Sequence, residues 1–173
     1  MLEPVEFWIP GVPAAKAEPN LTCMNSDSPA ARAKGCGRIP IKYYPKKTKQ
    51  ANWAERVRAY ARKNAPQAIK TRSISQVLVI VRGVVPKSWR KELTWPSTAP
   101  DLDNYEKLLN DNLEKIIFSN DSRIVAKSVF KIHYSEPGIY VHIREIDEAE
   151  TMAEVAHSQL QILEDFERGL NDE

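Results

Sequence analysis

The stretch SQVLVIVRGVV, residues 75–85, is rich in β-branched residues and apolar almost without a break. Such a run predicts a central strand buried on both faces, which needs a strand on either side and a layer over each face. The flanking sequence supplies both. Upstream, VEFWIPGVP (5–13) reads as an opening strand ended by Pro and Gly. KKTKQANWAERVRAYARKNAP (46–66) spaces Trp53, Val57, Tyr60 and Ala61 as one face of a helix that stops before Pro66. Residues 14–46 have no sustained period and many Pro, Gly and Ser, so an irregular loop is expected there.

Downstream, a helix is predicted from Asn104 to Phe118, with Tyr105, Leu108, Leu109, Leu113, Ile116 and Ile117 as its apolar stripe. RIVAKSVFKIHY (123–134) and GIYVHIREI (138–146) alternate as strands, and SEPG between them reads as a hairpin turn. The last 27 residues, 147–173, predict an acidic helix with Met152, Val155, Ile162, Phe166 and Leu170 on one side. The order of elements implies an α/β (α+β) fold, a small mixed sheet packed by helices. A domain of residues 1–146 with an acidic helical extension, 147–173, is the expected organisation.

Charge is distributed unevenly. Residues 30–100 hold 17 Lys and Arg against two acids, whereas from 145 onward there are ten acids and one base. A basic half of that strength points to a polyanion, and nucleic acid is the partner it suits best. Lys46, Lys47, Lys49, Arg56, Arg62, Arg90 and Lys91 are the candidate phosphate contacts. Trp89 and Trp95 can stack on unpaired bases or anchor their loop to the domain. The tail can pack on its own domain, pair with a second copy, or compete with DNA for the basic face. No apolar run reaches membrane-spanning length and the N-terminus lacks a secretory pattern, so a cytoplasmic protein is expected. Cys23 and Cys36 then have little reason to pair, and the three histidines lie too far downstream of them to suggest a zinc site.

Chemistry concentrates in APDLDNYEKLLNDNLEKIIFSNDSRIV (99–125). If the chain is extended there, Asp101 and Asp103 project to one side, and two converging carboxylates call for a cation between them. Mg²⁺ prefers such oxygen ligands, and phosphodiester hydrolysis is the reaction that uses them most naturally. Lys107 lies one turn up the helix and Asp121 follows it. A second reading stands beside this one: Asp103 and Glu106 as a capping box, Asp103 and Lys107 as an i,i+4 ion pair, and SNDS as an ordinary turn. A 15-residue helix is about 22 Å long, so Asp121 is expected far from Asp101 within one subunit unless the chain doubles back. A two-fold dimer that sets the helix beside its antiparallel mate would bring the two together.

This block resembles the signature of the RusA family of Holliday junction resolvases, of the kind phages and prophages encode. Asp101, Asp103, Asn104, Lys107 and Asp121 match its DxDN start, its lysine and its later acid in order and spacing. FWIPGVPAAKAEP, YYPKKTKQ and VPKSW resemble its weaker upstream motifs, so the likeness covers residues 5–146. It implies a small α/β homodimer that makes paired, symmetric nicks in four-way DNA junctions during recombination and repair. By the same resemblance the cofactor is Mg²⁺, with Mn²⁺ as a substitute. Asp101, Asp103 and Asp121 are the implied metal ligands and Lys107 the catalytic cation, with neither membrane nor nucleotide cofactor expected. Family members commonly carry two acids where this chain has Asn120-Asp121. A looser nuclease of flaps and forks, or a junction-binding protein without catalysis, are the alternatives.

Overall fold

In chain order the elements are β1 (Val5–Pro10), β2 (Asn20–Cys23), β3 (Pro40–Tyr43), α1 (Thr48–Asn64), β4 (Ile74–Val81), α2 (Leu102–Leu113), β5 (Ile124–Ile132), β6 (Gly138–Glu145) and α3 (Met152–Asn171). They belong to a computed structural model that describes residues 3–16, 20–23, 40–43, 48–65, 69, 72–83 and 95–171, with the backbone alone at 20–23, 40–43 and 48.

All eight residues of β4 are buried, as its unbroken apolar run requires. It runs inside a mixed sheet of order β1-β6-β4-β5, parallel to β5 and antiparallel to β6. Its alternate side chains feed two cores. Leu78 and Ile80 meet Phe7 and Ile9 of β1, Val141 of β6, Trp53 and Val57 of α1, and Leu109 and Leu113 of α2. Val79 and Val81 face the other way, toward Ile132, Leu163, Phe166 and Leu170. The molecule is therefore three layers, α1 and α2 on one face of an α+β sheet and α3 on the other.

Four sequence expectations are corrected. First, β5 and β6 do not form a hairpin, because β4 lies between them and pairs with both. Alternation marks a half-buried strand but not its partner, and the all-apolar strand takes the centre. The connection from β5 to β6 must then cross the end of β4. It passes so close that a Cβ on Gly83 would lie 2.5 Å from Pro137, which explains a glycine there. Second, the segment 14–46 is not all loop, since β2 and β3 pair antiparallel as a separate ribbon.

Third, α2 starts two residues earlier than expected and ends five earlier. Glu114 is its C-cap and Lys115 takes a left-handed φ of 65°, the conformation that closes many helices. Ile117 and Phe118 are fully buried in the turn that follows, not on the helix. They extended the apolar pattern because turn and helix fill the same core. Fourth, Met152 is 92% exposed, and Gln159 takes the inward position on α3 instead. Gln159 donates to Ser75 Oγ at 2.8 Å and accepts from Ser128 Oγ at 2.8 Å, so a polar side chain is satisfied where an apolar one was expected. The helix packs on its own sheet, the first of the packings open to it. A capping box at Thr151 and Glu154 starts it, and Arg144 fixes the approach by a forked pair of bonds to Glu150 at 2.8 and 2.9 Å.

Candidate metal centre

The mouth of α2 holds three of the four candidate catalytic residues. Asp101 holds the N-cap position in extended backbone, with no side-chain cap bond, and Asp103 lies in the first helical turn. The two therefore do not share one side of an extended segment, and Asp103 is not the cap of a capping box. Both lie instead at the positive end of the helix dipole, where carboxylates are favoured. Lys107 Nζ donates to Asp103 Oδ2 at 2.8 Å, the i,i+4 ion pair, with both side chains about half exposed (56%). That bond holds the Asp103 carboxyl below its ordinary range.

The backbone leading into Asp101 is held from the sheet. Lys131 Nζ on β5 donates to the carbonyls of Thr98 and Pro100, each at 3.0 Å. Arg82, just past β4, donates to the carbonyl and hydroxyl of Thr98, each at 3.1 Å. Lys16 flanks α2 from another direction. Its N–H donates to the Asn104 carbonyl at 2.8 Å and its Nζ pairs with Asp111 at 2.5 Å. Sequence reasoning missed these three cations. Only their proximity in the fold marks them, although Lys16 does fall within an upstream motif.

Asp121 lies elsewhere. It begins a single 3-10 turn, Asp121–Arg123, at the start of β5. Lys127 of β5 pairs with Glu106 of α2 at 2.6 Å, while Lys131 reaches Pro100, so strand and helix run in opposite directions. Asp121 is therefore at the far end of α2 from Asp101, across a 12-residue helix about 18 Å long. Among the described residues, no three His, Cys, Asp or Glu side chains come together to hold a metal within one chain. The oxygen donors of Asp101 and Asp103 suit Mg²⁺ chemically, since that ion is commonly held by one or two carboxylates and fills its remaining positions with water and phosphate oxygens. Asn120 has a different job from its expected acidic counterpart: its Oδ1 accepts from Ser122 N at 2.9 Å and caps the turn that carries Asp121.

Of the candidate DNA contacts, Lys49 and Arg62 are exposed on α1. Arg56 is exposed too, yet it donates to the Pro10 carbonyl at 2.6 Å and lies 5.9 Å from the Trp53 ring, tying α1 to β1. Lys46, Lys47, Arg90, Lys91, Trp89 and Cys36 lie outside the described residues. Trp95 is 64% exposed, with its ring 6.3 Å from Phe130. No helix among the described residues is long and apolar enough to cross a membrane.

Comparison with known proteins matches residues 12–144 to the family described as Endodeoxyribonuclease RusA. The match runs from the turn after β1 into the last residues of β6 and leaves α3 outside. The uncharacterized protein YqaN of Bacillus subtilis (strain 168) is 29% identical over 152 residues, spanning 82% of this chain and 96% of its own length.

Proposed function

The chain belongs to the RusA endodeoxyribonuclease family, and on that premise we propose that it is a Mg²⁺-dependent homodimer that resolves four-way DNA junctions by paired nicks. What carries the reading is one juxtaposition: Asp101, Asp103 and Lys107 cluster at the mouth of α2, and Asp121 stands at its other end. A two-fold dimer with α2 antiparallel to its mate brings Asp121 of the partner subunit beside Asp101 and Asp103. Two identical sites result, one for each strand to be cut.

Asp101 and Asp103 would hold the divalent ion, with Asp121 of the partner subunit completing the carboxylate set. When bound, the ion polarises a phosphoryl oxygen and makes hydroxide accessible at neutral pH. The protein's own residues do the rest. Lys107 pairs with Asp103 before loading, and its ammonium can then turn to a nonbridging phosphate oxygen, where negative charge develops. Lys131 and Arg82 fix the backbone before Asp101, so the carboxylate is presented without reorganisation. Exposed cations of α1, with those at Lys46, Lys47, Arg90 and Lys91, would position the phosphate backbone and leave recognition to junction shape.

A labelled four-way junction and its component duplex, each incubated with Mg²⁺, Ca²⁺ or EDTA, test the proposal. Symmetric nicks are expected only in the junction and only with Mg²⁺, and both Asp101→Asn and Lys107→Ala should abolish them. Cutting by Asp101→Asn at the wild-type rate would refute the site. Junction binding that is equal in EDTA and never leads to nicking would make the protein a binding module. Mixed Asp103→Asn and Asp121→Asn subunits should recover part of the activity, since each heterodimer then carries one intact site. No recovery at any ratio rules out sharing.

A further inference from the structure

Away from α2, a cavity of about 440 Å³ opens between the C-terminal end of α3, β1 and the β5–β6 connection. That is within the roughly 300–1,000 Å³ of small-ligand pockets. Its walls include Trp8, Tyr134, Tyr140 and Phe166, and its rim carries Glu6, Glu136 and Asp165. Among the described residues no lysine or arginine lines it.

Three features favour a positive charge there. The carboxylates supply negative charge directly. Gly169 and Leu170 bring the carboxyl end of α3, the negative pole of its dipole, to the same opening. Aromatic faces add the attraction of their ring quadrupoles. The walls are also held in place. Tyr140 donates to Glu6 Oε1 at 3.0 Å and its ring lies 4.8 Å from that of Phe166, while Tyr134 donates to the Leu170 carbonyl at 2.5 Å. Burial, with Glu6 and Asp165 nearby, drives the Tyr140 phenol far above its ordinary range, in keeping with a negative field. Arg168 pairs with Asp165 at 3.1 Å but does not line the cavity.

Gly169 is the informative wall residue. A Cβ there would meet nothing within 4 Å among the described residues, so no packing contact among them calls for a glycine at this position. It leaves the opening wide.

We propose that this cavity is a binding site for an organic cation with an apolar stem, an alkylguanidinium or alkylammonium group. The stem lies against Trp8 and Phe166 and the charge faces Glu6, Glu136 and Asp165. Two sources share that chemistry, the basic side chain of a protein partner and a free aliphatic polyamine.

Calorimetric titration of the full chain with N-acetyl-arginine amide and with spermidine tests it, the uncharged N-acetyl-citrulline amide serving as control. Saturable binding of at least one cation is expected, about tenfold or more tighter than the control. Gly169→Leu, which narrows the opening from an exposed position, and Glu136→Gln should each weaken it by a similar factor. The tighter of the two cations identifies the source. Absence of saturable binding, equal binding of the citrulline compound, or unchanged affinity in both variants overturns the assignment.

Discussion

If Asp101 holds the metal as proposed, its placement depends on Lys131 and Arg82, residues that never need to touch DNA. Between them they donate four hydrogen bonds to the two residues Thr98 and Pro100, in the segment that leads into α2. Lys131→Met should leave the fold intact but let that segment drift. Misplacement of this kind lowers turnover on the order of 10–100-fold. The Mg²⁺ concentration for half-maximal nicking should rise with it, and Lys131→Arg should restore part of both. A variant whose metal requirement and turnover match wild type removes Lys131 from the machinery. None of this was legible in the sequence, where Arg82 and Lys131 are two basic residues among many, 49 positions apart. Asp101, Asp103 and Lys107 were legible because their spacing is local. Asp103 was misread as a cap because the true start of the helix depends on how the preceding segment is held.

At the scale of elements, β4 and α1 followed directly from pattern, the one from an unbroken apolar run and the other from a clear helical face. The end of α2 did not, because Lys115 takes a left-handed conformation without a glycine to announce it. On α3 the apolar stripe pointed to Met152, whereas the fold seats Gln159 over Ser75 and Ser128. The two assignments predict opposite mutational results. Gln159→Ala leaves the buried Ser75 hydroxyl without this partner and should cost about 1–3 kcal/mol in urea denaturation. Met152→Ser should stay within about 0.5 kcal/mol of wild type. The reverse pattern is what an outward-facing Gln159 and a helix paired through Met152 would give.

The whole molecule carries a pH dependence traceable to the sheet face beneath α3. Burial holds the His142 imidazole below its ordinary value; Arg144 acts in the same direction and Glu6 opposes them. The folded state therefore refuses a proton that the unfolded chain accepts. As pH falls below about 6.5, the unfolded chain binds more protons and stability declines; above that value this contribution is constant. Urea midpoints at pH 7.5 and 5.5 should differ more for wild type than for His142→Gln, and an equal difference would assign the loss to other groups. The long-range order of the sheet was the least legible feature at this scale. Alternation in the last two strands could not reveal that an earlier strand separates them.

The opposed ends of α2 have one more consequence. If the sites are shared across a dimer, each helix carries part of one site at its start and part of the other at its finish. The helix is then a gauge. The distance between the two incisions is set by a protein rod about 18 Å long, not by the nucleic acid it holds. Branched substrates whose two scissile phosphates can match that spacing would be cut in pairs, and those that cannot would be nicked once.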